Sequence, residues 1–206
     1  MQEMNRMFGY LKTILRVLKM KDSVTVSLFS GFLGTLVMDA SNLLLWRTRN
    51  TEALYGHIAG SVYVRPFRTN QRKNFWLGQI THLVTGAILA YPLNLLLIRT
   101  GKDYTTIKGA FFGAVTWEFI YGVGQRFEVF STKPHMTKTH YAELFNNILY
   151  GIATAKALVA FSEPSIHADH PSKKAALNTT VKKTQINTVQ PIYADTPSDV
   201  EGTALM

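Results

Sequence analysis

Cysteine is absent from the 206-residue chain. Its absence excludes disulfide bonds, thiolate nucleophiles, cysteine-ligated zinc and iron–sulfur clusters. The phosphate-binding glycine loop, His-Glu-x-x-His, Gly-x-Ser-x-Gly and the haem-attachment motif are absent as well. We also expect no cleavable signal peptide, because the first long apolar run, which begins near Val24, is too long for one. The sequence thus offers no enzyme signature, and we expect a non-enzymatic role.

Acidic residues are fewer than basic ones. The chain has 22 lysines and arginines against 13 aspartates and glutamates, and 18 of the basic but only 8 of the acidic residues precede Ser162. A soluble basic protein would indicate nucleic-acid binding. Here, however, Lys and Arg lie almost entirely between apolar runs, which is typical of membrane proteins. We therefore expect a lipid bilayer, and no nucleic acid, as the partner.

Four apolar segments reach the length of roughly 20 residues that a helix needs to cross a bilayer. The predicted fold is therefore all-α, a polytopic membrane protein with four transmembrane helices in an antiparallel bundle. Glu118, Glu143 and Lys156 dilute the last two segments, for which buried helices of a soluble bundle are the alternative. The predicted spans are Val24–Leu45, Trp76–Ile98, Thr106–Gln125 and His140–Phe161.

Two segments flank the predicted transmembrane domain, residues 24–161. Residues 1–23 place apolar side chains on one helical face and basic ones off it, which is typical of an amphipathic helix lying in the membrane interface. An extension of the first span is the alternative. Residues 162–206 are polar, contain four prolines and lack periodicity, so we expect a disordered C-terminal tail. Anionic headgroups are the expected partners of the basic leader and of the Arg-rich first link.

Membrane orientation is poorly determined by charge. Lys and Arg near the membrane number ten on the side of the termini and nine on the other side, so the positive-inside rule does not decide. We expect a multi-pass protein of the cell membrane with cytoplasmic termini, because the basic leader suits an anionic leaflet. Homo-oligomerisation stays open.

Each predicted span carries an ionisable side chain, and the four lie at similar depth. Because neighbouring spans run in opposite directions, a rise of 1.5 Å per residue places them roughly 4–11 Å from the midplane, on the same side. Charges that face lipid are costly, so we expect these groups to converge. The candidate site comprises Asp39, His82, Glu118 and Glu143, with His140 nearer the surface and Asn42, Gln79 and Asn147 as supporting polar residues.

Three interpretations of this cluster stay open. The leading one is an ion-paired, hydrogen-bonded cluster that fixes helix packing in a structural or interaction protein. The second is a divalent metal site, as in helical bundles with two metals, although those use Glu-x-x-His twice and this chain has only the reverse, His140-x-x-Glu143. The third is a proton or ion relay. A membrane enzyme acting on lipid phosphate is a further hypothesis, but it lacks a recognisable nucleophile.

The run RTGKDYTTIKGAFFGAVTWEFIYG, from Arg99 to Gly122, carries a TGKDY turn followed by a span with KG, G and W. GFLGTLVMD and ALYGHIAG precede it, and Tyr150–Gly151 follows in the last span. Over residues 24–160 the chain resembles a group of small, uncharacterised four-span membrane proteins of Gram-positive, mostly spore-forming, bacteria. The resemblance implies a four-span protein of a bacterial membrane and transfers no catalytic residue.

Overall fold

The computed structural model describes residues 19–127, 129, 136–163 and 166, without the side chains of Pro66 and Gln125. These residues all belong to one compact unit of the chain, residues 1–168. The predicted interfacial leader and the predicted disordered tail lie almost wholly outside the described residues. Within them the chain is all-helical and has no strand.

The helices are numbered here in chain order. They are α1 (Ser23–Arg47), α2 (Tyr55–Gly60), α3 (Arg72–Thr100), α4 (Thr105–Glu118) and α5 (Thr137–Phe161). A 3₁₀ turn, Pro66–Arg68, precedes α3. Helix α4 continues through a π-helix, Phe119–Val123, into one last turn, Gly124–Arg126.

Local signals set the helix ends. The Asp22 carboxylate caps α1 by accepting a hydrogen bond of 2.6 Å from the backbone N–H of Thr25, which satisfies a donor that the helix leaves free. Gly101 ends α3 with a φ of 79°, a backbone conformation that glycine adopts without strain. Pro92 lies inside α3, which continues past it. The short turn between α3 and α4 then follows directly.

Three helices, α1, α3 and α5, are long and apolar enough to cross a membrane. Large apolar side chains are exposed on their outer surfaces, for example Leu44 at 63%, Ile80 at 58% and Phe145 at 54%. In water this exposure would be unfavourable, whereas lipid tails accept it without cost. The chain is therefore a membrane protein with transmembrane helices.

Glycines allow the long helices to pack at very short distances. A Cβ added to Gly31 of α1 would lie 2.6 Å from the carbonyl oxygen of Gly86 in α3. A Cβ added to Gly109 of α4 would lie 2.5 Å from the carbonyl oxygen of Gly151 in α5. Small residues at such contacts bring helix backbones together, which is a principal source of packing energy in membranes.

Buried hydrogen bonds join the helices as well. Asn94 of α3 donates from Nδ2 to the hydroxyl groups of Ser23 and Ser27 of α1, at 2.9 Å in each case. The Tyr150 hydroxyl of α5 donates to the backbone oxygen of Gly86 in α3 at 2.6 Å. These bonds pair polar groups that would otherwise be unsatisfied in an apolar medium. Around them lie the buried apolar residues Val26, Leu93, Leu97, Ala155 and Leu158.

The two ends of the described body lie side by side. The backbone N–H of Met20, before α1, donates to the carbonyl oxygen of Phe161 at 2.8 Å. The N–H of Glu163, after α5, donates to the carbonyl oxygen of Met20 at 3.1 Å. The chain therefore enters α1 and leaves α5 at the same place.

Candidate functional site

The structure brings Asp39 of α1 next to Gln79 and His82 of α3. Gln79 Nε2 donates to Asp39 Oδ2 at 2.6 Å, and His82 Nε2 lies 3.2 Å from Asp39 Oδ1. The latter contact lacks the alignment of a hydrogen bond, so Gln79 is the better aligned donor. The side chains of His82 and Asp39 are 15% and 22% exposed. The pair is thus largely enclosed and still reachable by a small molecule.

Tyr55 of α2 forms a platform for this histidine. Its ring stacks on the His82 ring with centroids 4.5 Å apart and an interplanar angle of 13°. Helix α2 comes this close because glycines meet where it crosses α3: a Cβ added to Gly78 would lie 2.7 Å from the Cα atom of Gly60. The stacking and the Asp39 contact together fix the plane and position of the imidazole.

The Tyr55 hydroxyl lies within the electrostatic reach of two carboxylates. Burial raises the pKa of Tyr55, a hydrogen-bonding interaction with Asn146 opposes that change, and the charges of Glu143 and Asp39 add to the increase. Tyr55 therefore keeps its proton at any physiological pH. Its ring contacts His82, and its hydroxyl interacts with Asn146 of α5, the helix that carries a second polar group.

That second group is centred on Glu143. His140 Nδ1 lies 3.9 Å from Glu143 Oε2, and the Tyr121 hydroxyl of the π-helix interacts with the same carboxyl. Glu143 is only 2% exposed. Asn147, one turn later, donates from Nδ2 to the Glu143 backbone oxygen at 2.9 Å. A supporting residue of α1, Asn42, donates instead to the backbone oxygen of Ala53 at 3.4 Å, outside both groups.

Glu118 lies apart from these groups. Its side chain is exposed and runs along its own helix, so that a Cβ added to Gly122 would lie 3.1 Å from Glu118 Oε1. The buried face of α4 contains Gly109, Gly113 and Thr116. Since each residue turns an α-helix by about 100°, Glu118 points roughly 200° away from Thr116. The described part of the chain contains no group of three or more His, Asp or Glu side chains that could hold a metal ion.

A central cavity of about 240 Å³ lies beside the Asp39–His82 pair. Apolar side chains form most of its wall, and α1, α2, α3, the π-helix and α5 all contribute. A few polar groups interrupt the wall, above all His82, Tyr55, Tyr121 and Asn147. Its apolar lining includes Met38, Ile58, Ala59, Val62, Leu89 and Ile120.

The sequence indicated Asp39, His82 and Gln79 as site residues but gave no role to Tyr55, Tyr121 or Asn146. Tyr55 had a signal: Gly56 and Gly60, four residues apart, are typical of a helix that packs closely on another. Tyr121 reaches the cavity from a π-helix, a local irregularity that hydrophobic periodicity does not reveal.

The cavity wall combines an apolar surface with a hydrogen-bonding patch at one side, which is the usual make-up of a small-molecule site. The imidazole of His82 either donates or accepts a hydrogen bond, and Tyr55 and Tyr121 add two hydroxyl groups. Comparison of the chain with protein-family models, with curated proteins and with solved structures found no match.

Proposed function

We propose that the chain is a four-span membrane protein. The span added to α1, α3 and α5 consists of α4, the π-helix and the following turn, and it is the third in chain order. The three segments have 14, 5 and 3 residues, so they extend roughly 30 Å, the thickness of the hydrocarbon core. The contact between Met20 and Phe161 supports this count. A chain that enters and leaves on one side crosses an even number of times.

The contacts between helices support an antiparallel arrangement of these four spans. Residues early in α1 meet residues late in α3, as Ser23 meets Asn94, whereas Asp39, late in α1, meets Gln79, early in α3. Helices α4 and α5 show the same reversal, since Gly109 approaches Gly151 and Gly113 approaches Asn147. We place the protein in the cell membrane, with cytoplasmic termini.

For the function itself, we infer that the central cavity binds a small, largely apolar molecule that carries one hydrogen-bonding group. The observation that carries this inference is His82, held between Asp39 and the Tyr55 ring at the wall of a mostly apolar cavity. An apolar cavity of about 150 Å³ already binds benzene. The larger space here would hold a two-ring or short-chain compound, with its polar group at His82.

The binding role is tested with 1-naphthol, which has two rings and one hydroxyl group. We expect saturable binding to the purified protein beyond partition into the detergent micelle. Ala59→Phe fills the cavity and should abolish that binding, whereas Ile80→Phe, on the exposed outer face of α3, adds the same ring without entering the cavity. His82→Ala should weaken binding about 3- to 10-fold, the usual contribution of one neutral hydrogen bond.

Equal binding by the two phenylalanine variants would remove the cavity as a binding site. The polar residues would then be assigned the structural or interaction role that the sequence favours.

Proton transfer is the second candidate function. The favouring observation is that the charges of Asp39 and Glu143 both act on the buried Tyr55, so that titratable groups of α1, α2 and α5 lie within electrostatic reach of one another. In liposomes that contain a pH-sensitive dye, proton flux that Asp39→Asn abolishes would support this function. Flux equal to that of empty liposomes would leave binding as the proposal.

A further inference from the structure

A second concave site lies at the end of α1, away from the central cavity. This interfacial cleft has a volume of about 560 Å³ and is open on one side. It lies between the last residues of α1, the loop that follows and the start of α5. Its wall contains three cationic side chains and one acidic side chain. The lining residues are Trp46, Arg47, Arg49, Thr51, Glu52, Met136 and Lys138.

Two hydrogen bonds hold the walls of the interfacial cleft together. Lys138 Nζ donates to the backbone oxygen of Arg49 at 2.7 Å. The backbone N–H of Met136 donates to Glu52 Oε2 at 3.3 Å. The lysine and the carboxylate are therefore engaged in joining the loop to α5. Arg49 itself has a φ of 59°, in the left-handed region, which shows that the loop has a defined turn at this residue.

The guanidinium groups of Arg47 and Arg49 remain available to a ligand. Both side chains are exposed, and neither forms a salt bridge with an acid in the part of the chain that the structure describes. A guanidinium presents several N–H donors in a planar fork that matches phosphate oxygens. The amino end of α5 forms the opposite wall, and its dipole adds to the positive potential.

The position of the cleft points to the membrane surface. Trp46 lies at the end of the transmembrane helix α1 and is 45% exposed, and tryptophan is enriched at the level of lipid headgroups. We propose that the interfacial cleft binds a phosphate anion through Arg47 and Arg49. At this depth the phosphate is that of an anionic lipid headgroup, or of a soluble phosphate ester that reaches the cleft from water.

The test compares two double variants that remove the same charge. Arg47→Gln/Arg49→Gln empties the cleft of its free guanidinium groups, whereas Arg65→Gln/Arg68→Gln removes two exposed arginines from the segment between α2 and α3, outside the cleft. Binding of short-chain phosphatidylglycerol, phosphatidylcholine and glycerol phosphate to the purified full-length protein is measured by calorimetry.

We expect phosphatidylglycerol to bind the unmodified protein more tightly than phosphatidylcholine. The cleft variant should bind phosphatidylglycerol roughly 30-fold more weakly, since each guanidinium loses a charge-assisted contact with the phosphate that is worth at least about a factor of five. The control variant should change the affinity less than about threefold. Arg47→Lys/Arg49→Lys keeps the charge but loses the planar fork, so it should lie between these results.

The ligand arms separate the two sources of phosphate. Glycerol phosphate binding as tightly as phosphatidylglycerol would identify a soluble ester, and much weaker binding would identify the lipid. Equal losses in the two double variants, or no preference for phosphatidylglycerol over phosphatidylcholine, would overturn the proposal. Helix content by circular dichroism verifies that each variant is folded. If Arg47→Gln/Arg49→Gln does not fold, Arg47→Lys/Arg49→Lys takes its place in the comparison.

Discussion

Substituting Gly113 by alanine tests the packing of α4 on α5 most directly. A Cβ at this residue would lie 2.7 Å from the backbone carbon of Asn147 and 2.9 Å from the Cα atom of Ile148. Both are backbone atoms of α5, so no side-chain rotation relieves the clash and α4 must move outward. Overpacking of this kind costs about 1–3 kcal/mol. Alanine recovers about 0.5–1 kcal/mol through its better helix propensity.

Gly122→Ala is the matched control. Its Cβ would approach only Glu118 Oε1, at 3.1 Å, which is the mobile end of an exposed side chain. This variant should therefore keep the free energy of unfolding within about 1 kcal/mol of the unmodified protein, with any change towards higher stability. Gly113→Ala should be about 1–2 kcal/mol less stable than the unmodified protein.

The measurement is reversible unfolding in mixed detergent micelles. Sodium dodecyl sulfate is added in steps, and helix content and tryptophan fluorescence report the unfolded fraction. The free energies of unfolding of the two variants should differ by about 1–3 kcal/mol. Equal unfolding curves would refute the close approach of α4 and α5. They would also remove the main support for the proposal that α4 runs antiparallel to α5 across the membrane.

Two further predictions concern single hydrogen bonds. Tyr150→Phe removes the donor to the Gly86 oxygen and should lower the free energy of unfolding by about 0.5–1.5 kcal/mol in the same assay; no change would contradict that bond. Hydrogen bonds from the Thr25 hydroxyl and backbone N–H lower the pKa of Asp22. The stabilisation by Asp22 is therefore complete above about pH 4 and is lost as the pH falls through the lowered pKa. Asp22→Ala should reduce this acid sensitivity, and parallel pH profiles would argue against the cap.

Much of the helical architecture could be predicted from hydrophobic runs alone. The predicted spans Val24–Leu45, Trp76–Ile98 and His140–Phe161 correspond to α1, α3 and α5, each a few residues longer or equal at its ends. The all-α class is confirmed for the residues that the structure describes, and so is a membrane protein, whereas the cell membrane and the side of the termini stay predictions. The third predicted span, Thr106–Gln125, falls on α4, the π-helix and the turn after it. The hydrophobic periodicity of the sequence does not show that a π-helix interrupts the α-helix here. The resemblance to small four-span bacterial proteins stays a prediction.

The sequence predicts how deep in the membrane each candidate site residue lies, but not which way its side chain points around the helix axis. Counting residues along antiparallel spans gives the distance of each residue from the membrane midplane. Asp39 and His82, which this counting places at similar depth, are in contact. The face of a helix that points inward depends on its packing partners, so the same counting says nothing about Glu118. The structure shows that Gly109, Gly113 and Thr116 form part of the buried face of α4, which leaves Glu118 on the other side.

The π-helix Phe119–Val123 changes which kind of mutation would alter the central cavity. A π turn contains more residues than an α turn of similar length, so the loss of one residue here would leave a continuous α-helix. The residues beyond the π turn would then keep nearly their present direction relative to α4. A deletion in the regular part of α4 would instead rotate every following residue by about 100°, and Tyr121 would leave the cavity wall. The cavity should therefore keep its shape better after the loss of one residue inside Phe119–Val123 than after the loss of one residue earlier in α4.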